Sequence, residues 1–258
     1  TYDGKGDAGR QEEARRTSLE AAERLIEQIA SGQIVKPDFW FSYHVYYKSP
    51  DWIGPAVAER LSIPYLIAEG SHAPKRQNGP WAMAHDATTR ALKSASMLLA
   101  MTQFDRFCLE WIDASRVRDL RPFIDTSPFA SVERTVSEDV RLLAVGMMRN
   151  ERKKESYRLL ADALRAANKV RHTLTIAGDG KFRGEVEGYF AGLSNIRFLG
   201  AVTRDRLPAL MADADIFTWP GVGEAYGLAY LEAQAAGLPV VALRERGVVD
   251  VTVDTETA

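Results

Sequence analysis

The sequence predicts an α/β protein made of two doubly wound parallel sheets. Short apolar runs of strand length alternate with longer stretches of helix length, which is typical of parallel βαβ units. The alternation breaks at Arg121–Phe129, a stretch with two prolines, and then restarts. The chain has 258 residues, 46% hydrophobic and 26% charged, which is the composition of a globular protein with one large or two moderate domains.

The first half begins with an amphipathic helix and continues with three strands, each followed by a helix. Apolar residues recur at helical spacing between Gln11 and Ala30. A polar loop punctuated by glycine and proline covers Ser71–Pro80. The predicted strands are Phe39–Tyr43, Pro64–Ala68 and Ser96–Met101, and the later helices are Ile53–Leu61, Met83–Ser94 and Gln103–Ile112.

The second half predicts five strands, and such sheets bind ligands at the carboxyl ends of their strands. Thr203 is a good N-cap for a helix that starts at Arg204. The predicted strands are Arg141–Gly146, His172–Ala177, Ile196–Leu199, Ile216–Trp219 and Pro239–Leu243; the helices are Ser156–Ala167, one ending near Phe190, Arg204–Ala212 and Gly227–Ala236. We therefore expect a first domain over residues 1–121, a linker over 122–139 and a second domain over 140–258.

Composition narrows the class of protein. A net charge of −2 argues against a general nucleic-acid binder, which usually presents a basic face. Cys108 is the only cysteine, so no intrachain disulfide can form and a reducing compartment is favoured. No apolar run approaches the roughly 20 residues that span a bilayer. The chain starts at Thr1 without a signal-peptide pattern, and we expect it to be a piece of a longer protein cut at both ends.

The most informative stretch is Gly221–Val241, GVGEAYGLAYLEAQAAGLPVV. Glu224 precedes a glycine turn at Gly227, and Glu232 lies inside an otherwise apolar helical run. A buried carboxylate costs several kcal/mol unless a cation or a hydrogen-bond donor meets it, and hydroxyl-rich ligands supply such donors. The N–H groups at the start of a helix favour an anion. Carboxylates that can accept hydrogen bonds from sugar hydroxyls, next to a helix start that can bind phosphate, indicate a nucleotide-sugar site.

Four segments, in this order and at this spacing, resemble glycosyltransferase family 4, which has the GT-B fold. They are LLAVGMMRNERKKESYRLLADAL, LTIAGDG, NIRFLGAVTRDRLPALMADADIF and GEAYGLAYLEAQAAGLPVVA, the last being similar to the family's Glu-x7-Glu motif. In the first half, FSYHVYYKS and IPYLIAEGSHAPKR resemble the family's acceptor-side strands. The family's opening strand, glycine-rich acceptor loop and closing segment have no counterpart in the sequence, so the first domain is expected to be incomplete.

The resemblance implies two Rossmann-like domains facing a cleft, and a retaining, metal-independent hexosyltransferase that uses a nucleoside-diphosphate sugar. Carried over to this sequence, Glu232 holds the ribose hydroxyls of the donor and Glu224 the hydroxyls of the transferred sugar. The backbone amides of Tyr226, Gly227 and Leu228 meet the pyrophosphate, helped by the helix dipole. The alternative for the glutamate pair is a solvated pair on a helix and its preceding loop.

The cations expected near the phosphates depart from the family pattern. The family places an arginine directly after the glycine of the strand and a lysine about five positions later, but two methionines follow Gly146 here. Arg149 and Lys153 are the nearest catalytic candidates, and Lys154 is a competing donor-binding residue. A solvated basic loop is the alternative for each of them.

The resemblance also implies a histidine that reaches the transferred sugar. We favour His72 over His44 as this catalytic residue, with a simple surface loop histidine as the alternative. His85 and His172 lack a supporting context and are assigned structural roles. Asp213-Ala214-Asp215 resembles a metal motif of a different glycosyltransferase fold, but a solvated turn explains it, and no metal or cofactor is expected.

Two other functions remain open from the sequence. Gly178-x-Gly180-x-x-x-Gly184 follows a strand, as in NAD(P)-dependent oxidoreductases, but the next strand ends in Leu199-Gly200 without the acid that such enzymes use for ribose. A GT-B protein that binds a sugar nucleotide without transfer, for regulation or epimerisation, is the other alternative. The expected partners are a nucleotide-sugar donor and a glycan, lipid or small-molecule acceptor. The expected location is the cytoplasm, with peripheral association at the inner face of the membrane as in polysaccharide biosynthesis.

Overall fold

The computed structural model describes residues 5–129, 138–149, 151–167 and 169–253. The chain divides into two compact units, Thr1–Arg121 and Pro122–Ala258. Each unit has its own parallel sheet and its own buried core. No described helix combines the length and the apolar character needed to cross a membrane.

The first unit has a four-stranded parallel sheet whose strands follow sequence order. Its strands are β1 (Trp40–Tyr43), β2 (Tyr65–Ala68), β3 (Met97–Ala100) and β4 (Val117–Asp119), and its helices are α1 (Ala8–Ala30), α2 (Gly54–Leu61), α3 (Ala82–Ser94) and α4 (Gln103–Asp113). Ile67, Leu92 and Leu98 are fully buried in its core. Asp7 caps α1 by accepting a hydrogen bond of 2.8 Å from the Arg10 amide. Thr102 and Asp105 form a capping box at the start of α4.

The second unit has a five-stranded parallel sheet in the order β7-β6-β5-β8-β9. The strands are β5 (Val140–Val145), β6 (His172–Ala177), β7 (Ile196–Gly200), β8 (Ile216–Thr218) and β9 (Val240–Val241), and the helices are α5 (Glu151–Ala166), α6 (Arg183–Tyr189), α7 (Leu207–Ala212) and α8 (Leu228–Ala235). The order reverses between β5 and β8, and this reversal opens a crevice at the carboxyl ends of the strands.

The α/β class and the two parallel sheets are confirmed. The strand β4 has no counterpart in the sequence prediction, because it is a three-residue edge strand that ends in exposed Arg118 and Asp119. Thr203 makes no side-chain capping bond, and a 3₁₀ turn over Arg204–Arg206 precedes α7, so the predicted helix begins with a tighter turn.

The helix α5 begins at Glu151 rather than at Ser156, because charged residues of high helix propensity extend it by more than a turn. Lys153 and Lys154 therefore lie on the first turn of a helix and not in a basic loop. Part of the predicted linker 122–139 belongs to the second unit, where Phe129 is buried in the core. Residues 130–137 of that linker lie outside the described residues.

Candidate functional site

The crevice between β5 and β8 is a cleft of about 660 Å³ in the second unit. Its walls come from the turns after β5 and β6, the segment after β7, the first turn of α5 and the start of α8. Seven residues predicted for the site line this cleft: Gly146, Arg149, Lys153, Glu224, Tyr226, Gly227 and Leu228. The sequence motifs that are far apart along the chain thus converge at the place where a doubly wound sheet binds its ligands.

The turns after β5 and β6 form the floor of the cleft by direct backbone packing. The Gly146 amide donates to the Ala177 carbonyl at 3.0 Å, and a β-carbon on Gly178 would lie 1.9 Å from the Gly146 carbonyl oxygen. A β-carbon on Gly180 would lie 2.4 Å from the Met148 carbonyl oxygen. Close contact between neighbouring turns therefore requires glycine at both positions. This packing explains the two glycines without a dinucleotide-binding role.

Two buried aromatic residues support the floor, and sequence reasoning did not assign them to the site. Tyr157 on α5 donates a hydrogen bond to the Gly146 carbonyl, and its ring meets the edge of Trp219 with centroids 4.7 Å apart. Trp219 is 1% exposed and follows β8 directly. The sequence does place Trp219 at the carboxyl end of a predicted strand, and this position is the signal that could have assigned it to the site.

The loop between Trp219 and α8 is fixed to the rest of the unit by two side chains. The Val222 amide donates to the Ser156 hydroxyl at 2.9 Å, and Ser156 is fully buried on α5. The Tyr230 hydroxyl donates to the Trp219 carbonyl at 3.0 Å. Burial, and secondarily the nearby Glu224 carboxylate, raises the pKa of Tyr230, so this hydroxyl stays a neutral donor.

The helix α8 starts at the cleft with Gly227 in a left-handed conformation. Its φ is +60°, and a β-carbon there would lie 2.4 Å from the Tyr230 ring, so glycine is required on both counts. In the part of the chain that the structure describes, no side chain caps this helix start. The first amides of a helix have no intrahelical acceptor, and here they come from Leu228 and Ala229, which both line the cleft.

Lys153 and Glu224 form an ion pair in the wall of the cleft. The distance from Lys153 Nζ to Glu224 Oε2 is 2.5 Å, and the two side chains are 16% and 19% exposed. Lys153 Nζ also lies 5.4 Å from the centroid of the Trp219 ring. A cation and a carboxylate are therefore held together beside the amides of α8.

The other two cations take different positions. Arg149 is exposed and lines the cleft. Lys154 points to the other side of α5, where it lies 2.9 Å from Glu185, 3.0 Å from Glu151 and over the Phe182 ring. Those contacts explain the position of the Lys154 side chain, and its role in binding the donor stays a prediction.

Glu232 lies in a neighbouring cavity of about 400 Å³ in the same unit, which shares Leu228 with the cleft. Arg204 and Phe129 also line this second space. Burial raises the pKa of the Glu232 carboxyl, and the Arg204 charge opposes that rise. The two glutamates of the motif thus line two different cavities, and Leu228 lines both of them.

The histidine candidates lie in the first unit. The His72 ring lies 5.5 Å from the His85 ring, and burial together with His85 and Lys93 lowers the pKa of His72. His85 is buried on α3, and its Nε2 has no hydrogen-bond partner among the described residues. His44 instead pairs with Glu69, at 2.5 Å between Nδ1 and Oε1. The catalytic role of His72 stays a prediction.

Within the described residues, no group of three or more His, Cys, Asp or Glu side chains is arranged to hold a metal ion. Asp215 accepts hydrogen bonds from the Arg141 amide at 2.8 Å and from the Arg141 guanidinium. That pair joins β5 to β8, so Asp215 has a structural role in place of the solvated turn expected from the sequence.

Residues 139–258 match the family model described as glycosyl transferases group 1. The chain is 27% identical over 255 residues to sulfoquinovosyl transferase SQD2 of Arabidopsis thaliana, covering 91% of this chain and 47% of that protein. It is 49% identical over 55 residues to D-inositol 3-phosphate glycosyltransferase of Salinispora arenicola, covering 21% of this chain and 12% of that protein. The chain thus spans about half or less of the length of these curated relatives.

Solved structures of glycosyltransferases share the fold. The structure of a glycosyltransferase from Rickettsia africae ESF-5 superposes with a TM-score of 0.70 at 17% identity, over 90% of this chain and 63% of that one. The two parallel sheets have the GT-B architecture predicted from the sequence. Together, the family match and these relatives support a GT-B glycosyltransferase.

Proposed function

We propose that the chain transfers a sugar from a nucleoside-diphosphate-sugar donor to a hydroxyl group of an acceptor, with retention of the anomeric configuration and without a metal ion. One observation carries this proposal. The cleft of the second unit brings an uncapped helix start, two cations and a carboxylate together at the switch point of a doubly wound sheet. A diphosphate needs the first two features, and a sugar with free hydroxyls needs the third.

Each group has a role in that reaction. The diphosphate lies against the amides of Leu228 and Ala229, with Arg149 and Lys153 facing its oxygens. Glu224 accepts hydrogen bonds from hydroxyls of the transferred sugar, and the contact with Lys153 keeps this carboxylate oriented. Glu232 accepts hydrogen bonds from the ribose hydroxyls in the neighbouring cavity.

The cations act when the bond to the donor breaks. The bond between the anomeric carbon and the phosphate oxygen breaks while the acceptor oxygen bonds to that carbon on the same face. The proton of the acceptor hydroxyl passes to the leaving diphosphate. Negative charge grows on the phosphate oxygens during this step, so fixed cations and amides stabilise the transition state more than the bound donor. No redox cofactor or metal takes part in this scheme.

The proposed location is the cytoplasm, with the chain at the inner face of a membrane when its acceptor is a lipid. The proposed acceptors are glycans, lipids and small molecules that offer a hydroxyl group.

Calorimetric titration with UDP, GDP and ADP, with NAD and NADP as comparison ligands, tests the proposal. We expect one of the nucleoside diphosphates to bind and neither dinucleotide to compete with it. The corresponding nucleotide sugar should bind more tightly than the free diphosphate, and Glu224→Gln should remove that advantage while leaving diphosphate binding in place. Binding of NAD in preference to all three diphosphates would overturn the proposal.

A radiolabelled donor separates transfer from mere binding. Incubation of the donor that binds with a mixture of candidate acceptors should yield a labelled product with the anomeric configuration of the donor. A donor that binds in the cleft and is never turned over would favour a regulatory or epimerase-like protein.

A further inference from the structure

The indole ring of Trp219 lies behind the wall of the cleft in the second unit. The residue follows β8 directly and is 1% exposed, and it is not among the described residues that line the cleft. A ligand in the cleft would therefore not touch the ring. Any part that Trp219 takes in binding a ligand must pass through a neighbouring residue that does face the cleft.

That neighbour is Lys153. Its Nζ lies 5.4 Å from the centroid of the Trp219 ring, which is within the range of a cation–π attraction. The lysine side chain is 16% exposed and the ring is buried, and such an attraction is stronger when the two groups are removed from water. The same ammonium group lies 2.5 Å from the Glu224 carboxylate. The ring and the carboxylate therefore both act on the position of one cation.

The packing around Trp219 fixes the position of its ring. The ring meets the edge of the Tyr157 ring, with centroids 4.7 Å apart. A β-carbon on Gly146 would lie 2.8 Å from Cη2 of the indole, so glycine lets the end of β5 lie directly against the ring. The Trp219 amide donates to the Val241 carbonyl at 3.0 Å, and the Trp219 carbonyl accepts from the Tyr230 hydroxyl at 3.0 Å. The ring is thus held in place by the fold, independently of what occupies the cleft.

The Glu224 carboxylate, in contrast, has a second task in the proposed function. It accepts hydrogen bonds from hydroxyls of the transferred sugar, and its contact with Lys153 is then shared with the ligand. The attraction of the Trp219 ring for the ammonium group is the same in the empty and in the occupied cleft. An ammonium group has three N–H donors, so it can meet a carboxylate and a phosphate oxygen at the same time.

We propose that Trp219 is a positioning residue for the transfer reaction, whose indole ring holds the Lys153 ammonium group beside the diphosphate while Glu224 engages the sugar. This inference rests on the proposed function, in which Lys153 faces the phosphate oxygens. The role depends on the negative face of the aromatic ring and not on its volume alone. An aliphatic side chain in the same place would fill space without attracting the cation.

A series of fluorinated tryptophans tests this role, because fluorine weakens the negative face of the ring and scarcely changes its shape. Analogues with one, two and four fluorine atoms on the six-membered ring are introduced at position 219 alone in the full 258-residue chain. UDP, GDP and ADP are titrated against each protein by calorimetry. We expect the affinity for the diphosphate that binds wild type to fall stepwise, by about threefold or more across the series. A constant affinity across the series would overturn the proposal.

The Lys153→Met background gives the readout that a merely structural role would not produce. Trp219→Leu should lower the diphosphate affinity by about fivefold or more in the wild-type background, and it should cause no further loss in Lys153→Met, because the ring acts through the lysine. Equal losses in both backgrounds would mean that the substitution disturbs the cleft as a whole, which contradicts the proposal. If Trp219→Leu does not fold, the fluorinated series decides.

Phe182→Leu is the matched control. Lys154 lies on the same turn of α5 as Lys153, and its Nζ is 4.4 Å from the centroid of the Phe182 ring, on the other side of the helix. Loss of this ring should leave the diphosphate affinity unchanged. A loss as large as that in Trp219→Leu would show that the effect is not specific to the lysine in the cleft, and would count against the proposal.

A measurement without ligand separates this inference from the proposed function. Protons near the face of an indole ring are shifted upfield, so the NMR signal of the Lys153 ε-methylene group, assigned by its loss in Lys153→Met, should lie upfield of the other lysine signals. The signal should stay upfield in Glu224→Gln and return to the ordinary position in Trp219→Leu. Equal movement in both variants would show that the carboxylate positions the lysine, which would overturn the proposal.

The two sets of results distinguish the two failures. If no diphosphate binds wild type although the upfield signal is present, the proposed function is wrong and the ring still positions the lysine. If a diphosphate binds and its affinity is constant across the fluorinated series, only the role of Trp219 is wrong.

Discussion

The ammonium group of Lys153 and the carboxylate of Glu224 meet at 2.5 Å, although 71 positions separate the two residues in the chain. The first comes from the first turn of α5 and the second from the loop before α8. The contact joins the two sides of the cleft at the place where the phosphates and the sugar of a donor would be adjacent. If Lys153 contacts both the donor phosphates and Glu224, donor binding is coupled to the orientation of the Glu224 carboxylate.

A double-mutant cycle measures this coupling in the folded protein. We expect Lys153→Met and Glu224→Gln each to lower the free energy of unfolding of the second unit, because each removes a charge-assisted hydrogen bond from a group that is poorly exposed to water. The double variant should recover part of the loss, with a coupling free energy of about 1–3 kcal/mol, since the hydrogen bond is charge-assisted and largely buried. Urea unfolding followed by circular dichroism gives the four values.

Lys154 offers the matched control on the same helix turn. Its partner Glu185 is 46% exposed, so the cycle of Lys154→Met with Glu185→Gln should give a coupling of less than about 1 kcal/mol. Equal couplings for the two pairs would mean that the Lys153 contact is an ordinary surface ion pair.

The sequence was sufficient to predict most of the architecture and much of the cleft. Alternating periodicities indicate the strands and helices, and the Glu-x7-Glu stretch indicates a carboxylate beside a helix start. Both signals are local, since they depend on residues a few positions apart. The strand β4 escaped prediction because three residues, two of them charged, carry no periodic signal.

The relationships that required the structure are long-range or conformational. No local pattern shows that Lys153 reaches Glu224, or that Ser156 holds the Val222 amide. The pairing of His44 with Glu69 depends on two left-handed backbone conformations at strand ends, which sequence propensity assigns to glycine or asparagine.

Alanine substitutions at two glycines should have opposite effects on stability. Gly178→Ala would place a β-carbon 1.9 Å from the Gly146 carbonyl oxygen, so we expect the free energy of unfolding to fall by about 2 kcal/mol or more as the two turns separate. Gly184 lies on α6 with open space around its α-carbon, so Gly184→Ala should raise it by about 0.5–1 kcal/mol through better helix propensity. Thermal unfolding of both variants checks the contrast.

The same pair discriminates between two explanations for the glycine pattern. In a dinucleotide fingerprint the last glycine permits close packing of the helix on the strand, and its replacement would be harmful. A stabilising Gly184→Ala would support backbone packing between turns as the reason for Gly178 and Gly180. A destabilising one would revive the dinucleotide alternative.

Arg149→Gln should weaken nucleoside-diphosphate binding by about tenfold or more, because a charge-assisted hydrogen bond to phosphate contributes about 1.5–3 kcal/mol. Arg158, which pairs with Glu155 and Asp162 on the exposed face of α5, is the control, and Arg158→Gln should leave binding unchanged. Calorimetry with the diphosphate that binds wild type measures both. An unchanged affinity in Arg149→Gln would transfer the role to another cation.

Removal of divalent cations should leave the transfer reaction unchanged. The diphosphate is expected to be neutralised by Arg149, Lys153 and the amides of α8, so its charge needs no metal ion. Turnover of radiolabelled donor with and without excess EDTA is the measurement. A loss of activity with EDTA that added Mg²⁺ or Mn²⁺ restores would contradict a metal-independent reaction.

Glu232→Gln should separate the contribution of Glu232 to stability from its contribution to binding. Burial raises the pKa of this carboxyl above its ordinary value of 4.5, so ionisation is harder in the folded chain than in the unfolded one. Below pH 4.5 the group is protonated in both states and contributes nothing. As the pH rises through the raised pKa, the folded chain carries the cost of a buried charge, which glutamine lacks.

We therefore expect the melting temperature of Glu232→Gln to gain on that of wild type as the pH rises above the ordinary pKa of 4.5, because the carboxyl is harder to ionise in the folded chain than in the unfolded one. The same variant should bind the nucleoside diphosphate more weakly at pH 7, because a neutral amide accepts hydrogen bonds from ribose hydroxyls less strongly than a carboxylate does. Arg204 lies beside Glu232 and lowers its pKa, so Arg204→Gln should enlarge the difference in stability at neutral pH. If Glu232→Gln is more stable than wild type and binds the diphosphate more weakly, Glu232 destabilises the fold and contributes to ligand binding. If the variant is less stable and binds with full affinity, Glu232 contributes to the fold alone.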